Sequence, residues 1–387
     1  KNTSNYNGLP APVRAVPTAP PTERDGDPTP MDHLAELKEF ARLHARGQGM
    51  KAEHATRVLA RITNDTTGDP ESWAAVWTAE GRAAAGRGDL LDACRHYALA
   101  RFPYHGDADR LDAQRLCVDT FDQWRRDQDG IQRLEFKDID GAGGTVACWA
   151  AGLDRSRPLL VVMGGIVSVK EQWAPLLPLL SRLGFAAVVT ELPGVGENTV
   201  TYGPDSWRTL SLLLDRLADR ALVADTSMLA LSFSGHLALG AAAEDPRIRR
   251  VLTVGAPVAG FFTDEAWWPR VPGITTDTLR RLTGSEDLTE LRDRLAGFAL
   301  TPERLRQVRI PVRYVASSRD EIIPDTDQTL LRRTLDDVRF KTFDDVHGSP
   351  AHLGATRRWL FSQLLWLRFA RRRARPTPRG AVGARPS

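Results

Sequence analysis

The chain has 387 residues, 42% of them hydrophobic and 26% charged, with a net charge of +3 at pH 7. This is the balance of a folded chain long enough for a core and an accessory segment, and the small excess of charge excludes an extended nucleic-acid surface. No apolar run reaches the roughly 20 residues that span a bilayer, and no signal-peptide pattern opens the sequence, so neither a nucleic-acid nor a membrane partner is expected and the expected compartment is the cytoplasm.

Residues 1–30 are rich in Pro, Thr, Asn and Asp without periodicity and read as a mobile arm. From 31 to 130 apolar residues recur at helical spacing, which predicts five helices. Leu34, Leu37, Phe40, Ala41 and Leu43 share one face of the first, and Ala55, Val58, Leu59 and Ile62 one face of the second. Asp69 and Pro70 read as the N-cap and first position of the third, which carries Trp73, Trp77, Gly81 and Ala84. A fourth opens at Gly88-Asp-Leu with Ala93, Tyr97 and Ala98 on one side, and a fifth covers about 107–126. The third and fourth look like one tetratricopeptide-type hairpin. One hairpin is too few for an array, so residues 31–130 are expected to form a helical accessory domain packed on the remainder of the chain. Cys94, Cys117 and Cys148 lie in apolar contexts without metal spacing and read as buried free thiols.

The period changes at Ile131. Residues 131–139 and 144–150 read as antiparallel strands joined by Asp140-Gly-Ala-Gly143. Strands at 158–163, 185–190, 227–231, 249–254, 310–315 and 338–343 then alternate with helices at 170–183, 206–221, 233–243, 325–335 and about 350–371. Continuous apolar strands in such alternation predict an α/β fold, a doubly wound, mostly parallel sheet covering 131–372. The alternation fails between Gly255 and Val308. The helical insert 257–308 is read as a lid, and its Phe261, Phe262, Trp267 and Trp268 either line an apolar substrate pocket or pack the insert onto the sheet. Residues 373–387 read as a disordered basic tail.

The chemistry centres on Leu229-Ala-Leu-Ser-Phe-Ser-Gly235. An apolar strand runs straight into a helix there, so the chain must turn sharply at Ser232 and thrust its side chain outward. Small residues at Ala230, Ser234 and Gly235 permit the close approach. The pattern is near Gly-x-Ser-x-Gly, the nucleophile elbow of α/β-hydrolases, although Ser232 could equally be a helix N-cap. In a doubly wound sheet, ligands bind beyond the carboxyl ends of the strands. Asp320 follows one strand end and His347 another, giving the order Ser, Asp, His along the chain. Glu321 competes with Asp320, and His352 with His347, while Asp344 and Asp345 read as turn carboxylates. A serine hydroxyl needs a histidine to take its proton and a carboxylate to orient that histidine. Oxyanion donors are expected from the Phe233 amide and from the Gly165 or Ile166 amide in the loop Gly164-Gly-Ile-Val-Ser-Val-Lys-Glu171. His236 reads as structural. No metal or other cofactor is expected, and the partner is a small-molecule substrate.

Gly164-Gly-Ile-Val-Ser-Val-Lys-Glu171, Glu191-Leu-Pro-Gly-Val-Gly-Glu197 and Leu229-Ala-Leu-Ser-Phe-Ser-Gly235 together resemble the FrsA-like esterase branch of the α/β-hydrolases. This branch is similar to 2,6-dihydropseudooxynicotine hydrolase and to fungal polyketide-shortening hydrolases. The resemblance covers about residues 70–365. It implies a helical N-terminal domain ahead of a hydrolase core, catalytic roles for Ser232, Asp320 and His347, and cleavage of an ester or a β-dicarbonyl carbon–carbon bond. It also makes a homodimer the assembly to test. Ala230 and Ser234 depart from the usual glycines. An elimination on the same fold, expelling a group such as acetate without an acyl-enzyme, is the alternative.

Overall fold

Runs such as Leu159-Leu-Val-Val-Met163 offer water no polar face, so they must lie between two covering layers. The structure, a computed structural model, describes residues 33–373; the arm expected at 1–30 and the tail beyond Arg373 lie outside the described residues. Eight strands form one sheet: β1 Gln132–Phe136, β2 Val146–Ala151, β3 Asp154–Met163, β4 Ala186–Thr190, β5 Ala221–Ala230, β6 Ile248–Val254, β7 Val312–Ser317 and β8 Val338–Phe343. Their order across the sheet is β1-β2-β4-β3-β5-β6-β7-β8. β2 is antiparallel to β1 and β4, and all remaining neighbours are parallel. The order reverses about β3, which puts the carboxyl ends of β3 and β5 side by side at the switch point where such sheets bind ligands.

Fourteen α-helices accompany the sheet among the described residues. α1 His33–Gly47, α2 Ala52–Ala60, α3 Trp73–Gly86, α4 Leu90–Ala100 and α5 Ala108–Arg125 precede it. α6 Leu177–Arg182, α7 Arg208–Leu217 and α8 Phe233–Glu244 lie between strands. α9 Gly260–Thr263, α10 Gly273–Thr283, α11 Leu288–Ala296 and α12 Pro302–Leu305 fill the interval between β6 and β7, and α13 Asp325–Thr334 and α14 Leu353–Arg373 complete the set. Alternate residues of β3 enter opposite layers. Val161 and Met163 pack with residues of α7, α8 and the 257–308 segment. Leu160 and Val162 pack with residues of α4, α5, α6 and α14. In the hairpin of α3 and α4 a Cβ at Gly81 would lie 2.4 Å from the Tyr97 ring, so glycine there sets how closely the helices approach.

Three local expectations need correction. The third helix begins at Trp73 with Ser72 as N-cap, its hydroxyl accepting from the Ala75 amide, while Asp69 instead accepts from the Glu71 amide in the preceding turn. Residues 170–183 are two 3-10 turns followed by the short α6, because Pro175 and Pro178 interrupt the helical hydrogen-bond ladder. Ala221, read as the end of α7, begins β5.

The 257–308 segment is tied down by buried carboxylates at two places in its first half. Glu36 of α1 accepts from the Gly273 and Ile274 amides at 2.8 and 3.0 Å, capping α10. Asp327 of α13, fully buried, accepts from the amides of Val258, Ala259, Gly260 and Phe261. Burial pushes the Asp327 carboxyl up, and these amides oppose the rise. Asp327→Ala would strand four amides at the entrance to the segment. We expect it to cost about 3 kcal/mol or more in urea unfolding, with Asp327→Asn costing less.

Candidate active site

β5 ends at Ala230 and α8 begins at Phe233, leaving two residues in which to reverse direction. Ser232 takes φ 53° and ψ −129°, a region that a non-glycine residue occupies only when its surroundings impose it. Here its amide donates to Val254 in β6 at 2.8 Å, and the Gly235 amide donates back to its carbonyl at 2.8 Å. Gly235 has no room for a side chain: a Cβ would lie 2.1 Å from Thr253 Oγ1 and 2.7 Å from Ala256 Cβ. The close approach thus falls at Gly235. Ser234, where the usual pattern has glycine, is fully buried and donates its hydroxyl to the Gly164 carbonyl. Because a trans peptide fixes N–H opposite C=O, that bond also sets the direction of the Gly165 amide.

The structure brings Ser232, His347 and Asp320 together. Ser232 Oγ lies 3.0 Å from His347 Nε2. His347 Nδ1 lies 2.9 and 3.0 Å from the two Asp320 oxygens, so it carries the proton and leaves Nε2 free to accept one. Asp320 is held in turn by the Ile322 and Ile323 amides. Glu321, weighed only as a rival for Asp320, accepts from the His347 amide at 2.9 Å and so fixes the backbone that carries the imidazole. His352 does not reach Ser232; it donates to the buried Asp345, which also takes the Val346 and Ala351 amides and shapes the loop. Burial of the His347 ring lowers its pKa, but the Asp320 charge and hydrogen bond, with Glu321 behind them, outweigh that and raise it above the ordinary value.

The Gly165 backbone abuts Ser232: a Cβ on it would lie 3.1 Å from Ser232 Cβ. No acceptor among the described residues takes the amides of Gly165, Ile166 or Phe233, so these three donors are uncommitted within the protein. The loop that carries two of them is anchored by Lys170, fully buried among Glu171, Glu191 and Glu197 at 2.9, 3.4 and 2.6 Å. Glu191 also accepts from the amides of Lys170 and Glu197, which joins the loop after β3 to the loop after β4. Burial pushes Glu191 up to about 7 against the pull of Lys170. Glu197 is more accessible; its burial is outweighed by Arg133 and Lys170, which bring it down to about 2.

The insert's aromatics, expected either to line a pocket or to pack the insert onto the sheet, make packing contacts. Phe261, Phe262 and Trp268 are buried. Phe261 packs edge-on against Phe233 at 5.2 Å, Phe262 against His236 at 4.8 Å, and Trp268 against Phe261 at 5.3 Å. Trp267 is half-buried and donates its indole N–H to the Ile322 carbonyl. His236 donates to the Phe298 carbonyl, and burial brings its pKa down to about 4. The helices ahead of the sheet reach this site. α1 lies against the Pro350–His352 turn, and its His44, brought down to about 4 first by burial, is also influenced by the charges of Arg101 and His347.

One metal-type grouping exists among the described residues, His54, Glu80 and His96 on the helices ahead of the sheet. Its atoms are already partnered: the two Nε2 atoms bond to each other at 2.8 Å and Glu80 pairs with Arg61. The three cysteines are buried and free.

A family model described as esterase FrsA-like matches residues 73–349. The curated 2,6-dihydropseudooxynicotine hydrolase of Paenarthrobacter nicotinovorans is 24% identical over 169 residues, 43% of this chain and 45% of that protein, so the matched part spans under half of that relative's length. Among solved structures, wild-type AbyA5 is 51% identical with a TM-score of 0.83, covering 89% of this chain and 97% of its own. A 2,6-dihydroxy-pseudo-oxynicotine hydrolase structure is 19% identical with a TM-score of 0.64, covering 82% of this chain and 94% of its own, a likeness of fold alone.

Gly255 has φ 57°, and a Cβ on it would lie 2.7 Å from His347 Cε1 and 3.4 Å from Asp320 Oδ2. Gly255→Ala must therefore displace the imidazole. We expect about a hundredfold loss in kcat/KM in a folded protein, measured beside the thermal midpoint.

Proposed function

The chain belongs to the FrsA-like esterase family of α/β-hydrolases, and from that premise we propose that it is a serine-dependent hydrolase in which Ser232 is the nucleophile, His347 the general base and Asp320 its orienting carboxylate. The observation that carries this reading is the continuous path Ser232 Oγ, His347 Nε2, His347 Nδ1, Asp320, with every link at 2.9 to 3.0 Å. Ser232 is half-buried, so a substrate carbonyl can reach it.

In the proposed cycle Oγ attacks a carbonyl carbon while His347 takes the hydroxyl proton. The carbonyl oxygen becomes an oxyanion and accepts from the Phe233 amide and from the Gly165 or Ile166 amide. His347 then gives the proton to the leaving oxygen or carbon as the bond breaks, and water, deprotonated by His347, releases the acyl group. The substrate class we propose is a medium-sized, partly apolar ester or β-dicarbonyl compound of polyketide type. Resemblance to hydrolases of that chemistry supports it.

The same pair can instead remove a substrate proton and expel a leaving group with no covalent intermediate, because Ser232 and His347 form a complete base on their own. A fluorophosphonate probe followed by intact-mass measurement tests the nucleophile. A single adduct on Ser232, lost in Ser232→Ala together with at least about a thousandfold of turnover, is expected. Absence of the adduct in a folded protein would sink the proposal. An unsaturated product formed without an acyl adduct during turnover would assign elimination.

The pH dependence follows from the raised His347 pKa. The imidazole must be neutral to act as base, so the acid limb of kcat/KM should fall above the ordinary histidine value of about 6.5. Asp320→Asn removes the charge that raises this pKa. We expect its residual activity to persist to lower pH than in the parent while its magnitude drops on the order of a thousandfold. A limb that stayed in place would separate the titration from His347.

A further inference from the structure

A small cavity lies beside the loop after β3, lined by Arg101, Tyr104, His105, Ile166, Arg281 and Leu282 among others. Ile166, whose amide is one of the proposed oxyanion donors, also lines the cavity. Arg101, just past α4, is 1% exposed. Its Nη2 donates to the Pro103 and Val167 carbonyls. Its Nε is buried without a partner. Unpartnered guanidinium N–H groups at such burial are costly unless a ligand completes them. His105 Nδ1 is likewise buried without a partner, and burial, with Arg101 and Arg281, brings its pKa down to about 4, so the ring is neutral. Arg281 sits exposed at the rim, stacked on Tyr104 and donating to the His105 carbonyl. No carboxylate is among the lining residues; Glu171 and Glu191, whose charges reach Arg101, are committed to Lys170.

The geometry points to an anion subsite: Arg101, with Arg281 at the rim, receives a carboxylate or enolate oxygen carried by the substrate whose carbonyl lies at Ser232. A charged guanidinium N–H is a strong single donor to such an oxygen, and exclusion of water strengthens the contact. The assignment of the anion to the substrate rests on the proposed hydrolase; the binding of an anion here does not.

Two measurements on the full chain test it. In Ser232→Ala protein, isothermal titration compares benzoate with its neutral isostere benzamide. We expect benzoate to bind at least about tenfold more tightly, and the ratio to shrink about tenfold in Arg281→Ala and in Arg101→Met. Since Arg101 also holds Val167, circular dichroism confirms that each variant is folded, and using the ratio cancels general loop damage. Equal affinity for acid and amide, or an undiminished ratio in both folded variants, overturns the subsite. In the active protein, mono-p-nitrophenyl glutarate is compared with p-nitrophenyl valerate. A lower KM for the acid, reduced by Arg281→Ala, supports the substrate assignment. Benzoate binding without that preference assigns the cavity to a free anion and overturns it. Benzoate binding with neither ester turned over leaves the subsite standing and counts against the hydrolase instead.

Discussion

The left-handed backbone at Ser232 is the constraint on which the site depends. A non-glycine residue held there costs on the order of 1–3 kcal/mol, so the surroundings must over-determine it. They do so from three sides. β6 takes the Ser232 amide through Val254, α8 presses onto the sheet through the absent side chain of Gly235, and Ser234 reaches across to Gly164. Each of these contacts also positions something else. The Val254 end of β6 leads into Gly255, whose lack of a side chain admits the imidazole. The Ser234 hydroxyl turns the peptide that carries the Gly165 amide. The corner that exposes the Ser232 side chain therefore also arranges the His347 imidazole and the Gly165 amide.

A second constraint holds the opposite wall. Lys170 without its carboxylates would be a bare cation in the core, and Glu171 and Glu191 without Lys170 would be two buried anions side by side. Ion clusters of this kind contribute little net stability over an apolar replacement, but loss of one member leaves uncompensated charge. What the cluster supplies is position. Trp149 donates to Glu171 and Arg133 pairs with Glu197, so strands β1 and β2 are joined to the loops after β3 and β4. The Gly196 backbone passes so near Glu191 that a Cβ would lie 2.1 Å from its Oε1. The loop after β3 is held because its far end is fixed by charge in a dry environment.

The sheet and the meeting of Ser232, Asp320 and His347 were legible in the sequence because they rest on local signals: apolar runs of strand length, a strand joined directly to a helix, and polar residues just past strand ends. The single helix expected at 170–183 was misread because helical periodicity outweighed Pro175 and Pro178. The aromatic insert was ambiguous for a physical reason. A buried ring and a pocket-lining ring have the same composition, and only the neighbours supplied by α8 distinguish them. Glu321, Ser234 and Arg101 act through partners 26, 70 and 66 positions away. No periodicity encodes such pairs. For Ser234 the departure from glycine was visible, and it is the departure that makes the hydroxyl bond to Gly164.

The helices ahead of the sheet are best understood through what they place at its carboxyl edge. Glu36 caps α10, Arg357 of α14 donates to the Gly47 carbonyl at the end of α1, and Arg101 reaches the Val167 carbonyl. Each of these contacts uses a charged group on one side and backbone on the other, so each fixes direction more than it adds apolar burial. Arg101 is the most informative of them. Its Nη2 secures the loop after β3 through the Val167 carbonyl, and its Nε is buried without a partner. An unpaired buried donor forfeits free energy that a partner could recover. The Arg101 Nε and the neighbouring His105 Nδ1, both buried without a partner, are the two groups at this edge that an incoming polar atom would complete.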